Sequence, residues 1–201
     1  MRKTSFALMI GLMLVLNSGL ASATSGATQK ALQNCAICHG MDGNNTSPNF
    51  PRLAAQQASY MEEQLKAFRN KTRADADAQD YMWGWAAPLS DETIKELAAY
   101  FAAQKPVSGK AGNPELTAKG KHIYEDGVAT RNILACATCH GPNAEGAAPF
   151  PRLAGQHAAY LKKQLKVFYS GQRPAAVAMH AIVAALTPDD IEAIAAFLQS
   201  K

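Results

Sequence analysis

Cys35-Ala36-Ile37-Cys38-His39 and Cys136-Ala137-Thr138-Cys139-His140 are two copies of one pattern, C-x-x-C-H. The spacing matters chemically. Two thiols one helical turn apart can add across the two vinyl groups of one porphyrin, and the adjoining histidine then becomes the proximal iron ligand. This is the attachment signature of a c-type haem. The chain has four cysteines, and the two motifs use all of them. A bare C-x-x-C pair also serves zinc and thiol–disulfide sites, which remain the alternative uses of Cys35, Cys38, Cys136 and Cys139. The histidine that closes both copies, His39 and His140, favours two covalent haems.

Outward from the motifs, the chain repeats itself. Phe50-Pro51-Arg52-Leu53-Ala54 recurs as Phe150-Pro151-Arg152-Leu153-Ala154, and 13 of 24 positions agree between 50–73 and 150–173. The spacing from motif to Phe-Pro-Arg-Leu differs by one residue. Within the repeat, Glu62-Glu63 becomes Lys162-Lys163, a charge inversion at matched positions. Each half is therefore one haem unit, small enough that its own core is thin and a bound haem supplies the apolar centre. Residues 106–114 are rich in Pro, Gly and polar residues and read as a linker. The expected organisation is a signal peptide over 1–23, one domain over 24–105, the linker, and a second domain over 115–201.

The periodicity is helical. Met61, Leu65 and Phe68 form one apolar stripe, as do Leu161, Leu165 and Phe168. Ile94, Leu97 and Phe101 form another, matched by Ile191, Ile194 and Leu198. Ser90 predicts an N-cap, and Thr187-Pro188-Asp189-Asp190 predicts a cap, an N1 proline and first-turn acids. No run alternates as a strand does, so the fold class is all-α, in two tandem units.

A six-coordinate haem iron needs a ligand on its far side, and methionine raises the potential. After residue 105 there is one methionine, Met179, seven residues before Leu186. Met82 stands seven before Leu89, in the matching place. Met61 aligns with Leu161 on the apolar stripe and reads as core, whereas Met41 is two residues from His39 and too near to swing over the ring. Met82 and Met179 are thus the expected axial ligands, with His180 a possible substitute for Met179. Three extra residues separate Arg73 from Met82, and Tyr81, Trp83 and Trp85 crowd around it. His122, His157 and His180 otherwise read as solvated or capping residues.

The N-terminus begins with Arg2 and Lys3, an apolar run from Phe6 to Leu16, and Ala21-Ser22-Ala23, the layout of a cleavable export signal. The run is short for a membrane span, which needs about 20 residues; an uncleaved anchor is the alternative. Export fits haems attached outside the cytoplasm. The whole chain carries a formal charge of +4. Residues 24–105 sum to −1 and residues 106–201 to +3. No basic stripe with interleaved aromatics is present, which excludes a nucleic-acid footprint.

Taken together, C-x-x-C-H, then P-R-L-A-G-Q, then Y-x-x-Q-L and a methionine before a last helix, all present twice, resemble the cytochrome c4 family. The resemblance covers essentially the whole mature chain. It implies two class I cytochrome c domains packed about a pseudo-twofold axis, each around one covalent haem. It also implies a periplasmic electron carrier, often loosely membrane-associated, between quinol-oxidising complexes and terminal oxidases or reductases. By the same resemblance, Pro51 and Pro151 accept a hydrogen bond from the proximal histidine, and Leu53 and Leu153 pack on the haem. Arg52, Arg152, Arg73 and Arg173 become candidates for pairing with haem propionates. Ala55 departs from the pattern, where the second copy keeps Gly155.

Three functions were weighed: a monomeric carrier of single electrons for redox protein partners, a dihaem subunit docked on an oxidoreductase, and a dihaem peroxidase-type enzyme. The third needs an acid–base group above an open iron, and no residue in a repeat-breaking position fits apart from His180. The expectation is therefore a non-enzymatic carrier with two unequal potentials, because the halves differ in charge and in aromatic content.

Overall fold

Four helices start where a capping side chain stands, at Ser25, Ser90, Asn113 and Thr187. The computed structural model describes residues 25–201; the export signal expected at 1–23 lies outside them. Among the described residues there are nine α-helices. The first half carries α1 (Gly26–His39), α2 (Ala58–Arg69), a π-helical turn at Ala78–Met82, α3 (Trp83–Ala86) and α4 (Asp91–Ala102). The second carries α5 (Pro114–Asp126), α6 (Ala137–His140), α7 (Ala158–Tyr169), α8 (Val177–Ala184) and α9 (Pro188–Ser200). Ser90 caps α4 by accepting from the Thr93 N–H, as expected. Thr187 and Asp190 close a full capping box on α9. The described residues contain two isolated β-bridges and no sheet, so the all-α expectation holds. No helix among them is long and apolar enough to cross a membrane.

The predicted stripes face inward. Leu32, Met61, Leu97 and Phe101 are buried together in the first half, and Tyr124, Leu161, Ile194, Phe197 and Leu198 in the second. Met61 is core, as the repeat implied. The two halves solve their terminal helix crossing differently. In the second, Gly120 of α5 meets α9 so closely that an added Cβ would lie 1.9 Å from the Ala193 carbonyl oxygen. In the first, the hydroxyl of buried Thr28 on α1 donates to Glu96 of α4, which also accepts from Ser25 Oγ at 2.8 Å.

Asp190 stands out among the buried acids of the second half. Its Oδ2 accepts from Arg131 at 2.6 Å and from the Thr187 amide at 2.9 Å. Burial alone would raise its pKa, but these bonds outweigh it and hold the carboxyl well below the usual carboxylate range. A depressed folded-state pKa contributes stability above the unfolded value of about 4, and that contribution is lost as pH falls below it. Asp190→Asn should lower neutral-pH stability by roughly 2 kcal/mol and flatten the acid limb. Denaturant midpoints measured from pH 7 to pH 3 test both parts. An unchanged acid limb would contradict the assignment.

Two features that puzzled at the sequence level meet in one contact. The three extra residues before Met82 are accommodated around the π-helical turn, a device that lengthens a helix locally. Asp77, just ahead of that turn, forms an ion pair with Lys163 of the other half. The charge inversion in the repeat thus serves to join the halves. Lys162 turns instead to Glu192 of α9, at 3.0 Å. The turn at Ala55 keeps the backbone of its glycine counterpart: Ala55 has φ +54° and Gly155 +72°. Holding a non-glycine residue there costs about 1 kcal/mol, so the departure alters cost and not conformation.

The halves meet through a reciprocal joint. Gln56 accepts from the Arg152 N–H at 2.7 Å and donates to the Arg152 carbonyl at 3.0 Å. Gln156 does the same to Arg52, at 2.9 Å in both directions. Behind it lies a buried polar layer. Arg73 binds Asp75, Gln64 and Gln164, and Arg173 binds Gln164, Gln64 and Tyr60. The stretch read as a linker is held at two points in its first half. Val107 N–H donates to Asn44 Oδ1 at 3.1 Å, and Lys110 N–H to the Gln199 carbonyl at 2.9 Å.

Candidate functional site

In the first half, α1 runs straight into the motif, so Cys35, Cys38 and His39 occupy its last turns. In the second, a loop intervenes after α5, and the short helix α6 carries Cys139 and His140. Glycine follows both histidines at positive φ, +79° at Gly40 and +81° at Gly141, which ends each helix and turns the chain back. The returning segment brings a proline carbonyl to each ring. His39 Nδ1 lies 2.9 Å from the Pro51 oxygen, and His140 Nδ1 lies 2.9 Å from the Pro151 oxygen. A carbonyl can only accept, so Nδ1 carries the proton in both rings. Nε2 is left with its lone pair, the form in which imidazole binds a metal. Burial lowers the pKa of both histidines, the proline bond opposing it, and so favours the neutral ring. Phe50 and Phe150 support the rings edge-on, each at a centroid distance of 6.1 Å.

The four cysteines form no disulfide with one another, which leaves both pairs for the haems. Burial pushes Cys35 and Cys136 up to about 11. Leu53 and Leu153 are half-buried against the two cores. Met82 closes the π-helical turn and Met179 lies in the first turn of α8, both half-buried. The residue after each methionine does the same structural work. Trp83 Nε1 donates to the Arg73 carbonyl at 2.9 Å, and His180 Nε2 meets the Arg173 carbonyl at 2.9 Å. His180 Nε2 is therefore committed to the backbone. Met41 is exposed beside its own motif.

The aromatic residues around Met82 divide their roles. Tyr81 stacks edge-on against Phe50 at 5.7 Å, which links the methionine turn to the His39 side of the site. Lys71 lies over Trp83, whereas Trp85 is half-exposed. Two of the candidate arginines lie in the interior. Arg73 and Arg173 are buried over Phe68 and Phe168, and Arg73 already has Asp75 as its carboxylate. Two buried donors near the joint, Arg152 Nε and Gln164 Nε2, have no acceptor among the described residues. A porphyrin bearing carboxylates supplies acceptors of that kind, and the free Nε2 of each histidine supplies an iron ligand. The residues present fit the group.

Several site neighbours escaped sequence reasoning. Asn45 and Asp75 belong to no motif, and Gln56 and Gln156, which close the two Pro-Arg-Leu-Ala repeats, give no local sign of the contact they make across the joint. His157, read as solvated or capping, is buried, and its Nε2 lies 3.1 Å from the Asn45 carbonyl of the other half. The available signal was its place opposite Gln57 in the repeat, since Gln57 crosses the joint in the same way to the Glu145 carbonyl.

Two helical units, each folding a C-x-x-C-H histidine against a proline carbonyl, define a dihaem c-type cytochrome. A cytochrome c family model matches residues 23–105 and again 117–201. The chain is 43% identical to the cytochrome c-552 of Acidithiobacillus ferridurans over 93% of its own length and 84% of the relative's. It is 38% identical to the cytochrome c4 of Azotobacter vinelandii, covering 95% and 97% of the two chains. The solved cytochrome c4 of Acidithiobacillus ferrooxidans superposes with a TM-score of 0.79 at 42% identity, over 84% of this chain and 99% of that one. The chain belongs to the cytochrome c4 family. It is an electron-transfer protein with two covalently bound c-type haems, at Cys35, Cys38 and His39 and at Cys136, Cys139 and His140.

Proposed function

We propose that this protein is a periplasmic shuttle passing single electrons from a quinol-oxidising complex to a terminal oxidase or reductase. It works as a monomer of two domains, 24–105 and 115–201, joined by 106–114 and freed of residues 1–23 on export. His39 with Met82, and His140 with Met179, would hold the two haem irons. Pro51 and Pro151 orient the histidines, and Leu53 and Leu153 press on the rings. When bound, the haem irons supply a one-electron couple. The chain's own residues fix the imidazole tautomer, exclude water and hold each sulfur in reach.

One observation carries this reading: both histidines are held by the same bond at the same 2.9 Å. An enzyme would need one site converted to a different task. The match of Trp83 and His180 on their arginine carbonyls supports methionine, rather than His180, as the second ligand. An optical spectrum of the ferric and ferrous holoprotein, with and without carbon monoxide, tests it. Two low-spin sites with an iron–sulfur charge-transfer band and no carbon monoxide response are expected. Carbon monoxide binding at one native site would overturn the carrier reading.

A further inference from the structure

The joint between the halves reaches the proximal histidines, and it does so unequally. The peptide linking Pro51 to Arg52 accepts from His39 Nδ1 at its carbonyl, and its N–H donates to Gln156 of the other half at 2.9 Å. The peptide linking Pro151 to Arg152 is held in the same way by His140 and by Gln56 at 2.7 Å. A peptide that donates at one end becomes a better acceptor at the other. This part of the arrangement is symmetric and acts on both sites alike.

Asn45 breaks the symmetry. Its Nδ2 donates to the Pro51 carbonyl at 2.9 Å, so that oxygen serves two donors. The matched residue of the second half is Gly146: Asn45 N–H donates to the His39 carbonyl as Gly146 N–H does to that of His140. Glycine has no side chain to bring, and among the described residues the Pro151 oxygen accepts from His140 Nδ1 alone. His157 fixes the amide's orientation. Its Nε2 faces two oxygens of Asn45, the carbonyl at 3.1 Å and Oδ1 at 3.2 Å, and therefore carries its proton. With Oδ1 so engaged, Nδ2 must point to Pro51. Burial and the nearby Arg52 guanidinium also lower the His157 pKa, while the bond to Asn45 opposes this.

We propose that Asn45, locked by His157, is a positioning residue that weakens the Pro51–His39 hydrogen bond and so raises the reduction potential of the first site alone. This rests on His39 being an iron ligand. The physical chain is short. A hydrogen bond from the ring N–H makes imidazole a more basic ligand, and a more basic ligand favours the ferric state. A second donor on the same oxygen draws density from it and leaves His39 the weaker bond. The first site then receives less of this stabilisation than the second.

The test uses the holoprotein and two readouts, a spectroelectrochemical titration and the proton NMR signal of each histidine Nδ1–H in the ferrous state. In Asn45→Ala, one of the two one-electron waves should fall, changing the ratio of the two reduction equilibrium constants by about two- to tenfold. One Nδ1–H resonance should move downfield, reporting a stronger bond. His157→Phe, which frees the amide, should move the same wave in the same direction by less. His157→Gln keeps an N–H donor, as Gln57 does in the first half, and should leave both waves in place. Equal movement of both waves would overturn the proposal, as would a moved wave with an unmoved Nδ1–H signal. A spectrum without two His-ligated low-spin haems would instead remove the ligand reading beneath it.

Discussion

Gly120→Ala should unfold the second half well before the first. The methyl group would stand 1.9 Å from the Ala193 oxygen and 2.9 Å from Phe197 Cβ, so α5 and α9 must part. Neither neighbour can yield, because the first is backbone and the second is the root of a buried aromatic side chain. Overpacking of a well-filled core costs typically 1–3 kcal/mol, and a collision with main chain belongs at the top of that range, about 3 kcal/mol. Ile194, Phe197 and Leu198, which α9 contributes to this core, would lose their packing together. Thr28→Ala offers the contrast. It removes one hydroxyl bond to Glu96 at the equivalent crossing and should cost about 1 kcal/mol. Denaturant titration of the holoprotein, followed by far-ultraviolet circular dichroism, should show two transitions for the glycine variant. A single, unshifted transition would mean that the helices separate at little cost.

The second large effect concerns the methionines. On the proposed ligation, Met82→Ala and Met179→Ala should each remove a sulfur ligand from one site and leave the other spectroscopically intact. The altered site should lose its share of the iron–sulfur band, bind carbon monoxide and fall in potential. That fall should be a sizeable part of the roughly 0.8 V that axial ligands command in haem proteins. The two variants should not be equivalent in stability. Met82 also packs against the small core of Phe68, Ala78 and Ala86, whereas Met179 is in no such cluster among the described residues. Met82→Ala should therefore cost about 1–2 kcal/mol more in folding. If Met179→Ala keeps its band and its potential, His180 or another group holds that iron, and the assignment from the repeat fails.

Much of this was legible because the haem motifs are local and the chain repeats. Five adjacent residues announce each site, and aligning the halves singles out Met82 and Met179 as the matched pair on which the proposed ligation rests. Helix caps such as Ser90 and Thr187 are legible for the same reason, since their bonds span three residues. What could not be read depends on contacts across the joint. Gln156 lies 104 residues from Arg52, and His157 lies 112 from Asn45. Nothing in either neighbourhood marks these residues as partners. The place of the three extra residues before Met82 is likewise a three-dimensional matter. They are taken up around a π-helical turn, and Asp77 beside it reaches Lys163.

The pinned segment between the halves has a consequence for how current moves through the molecule. A slack tether would make two beads on a string, whose traffic waits on their collisions and varies with solvent viscosity. Here Val107 is stitched to Asn44 and Lys110 to Gln199, and paired glutamines clasp the faces of the two halves. The result is a girder of constant span. Internal exchange is set by a built-in distance, and only the arrival and departure of partners is left to diffusion.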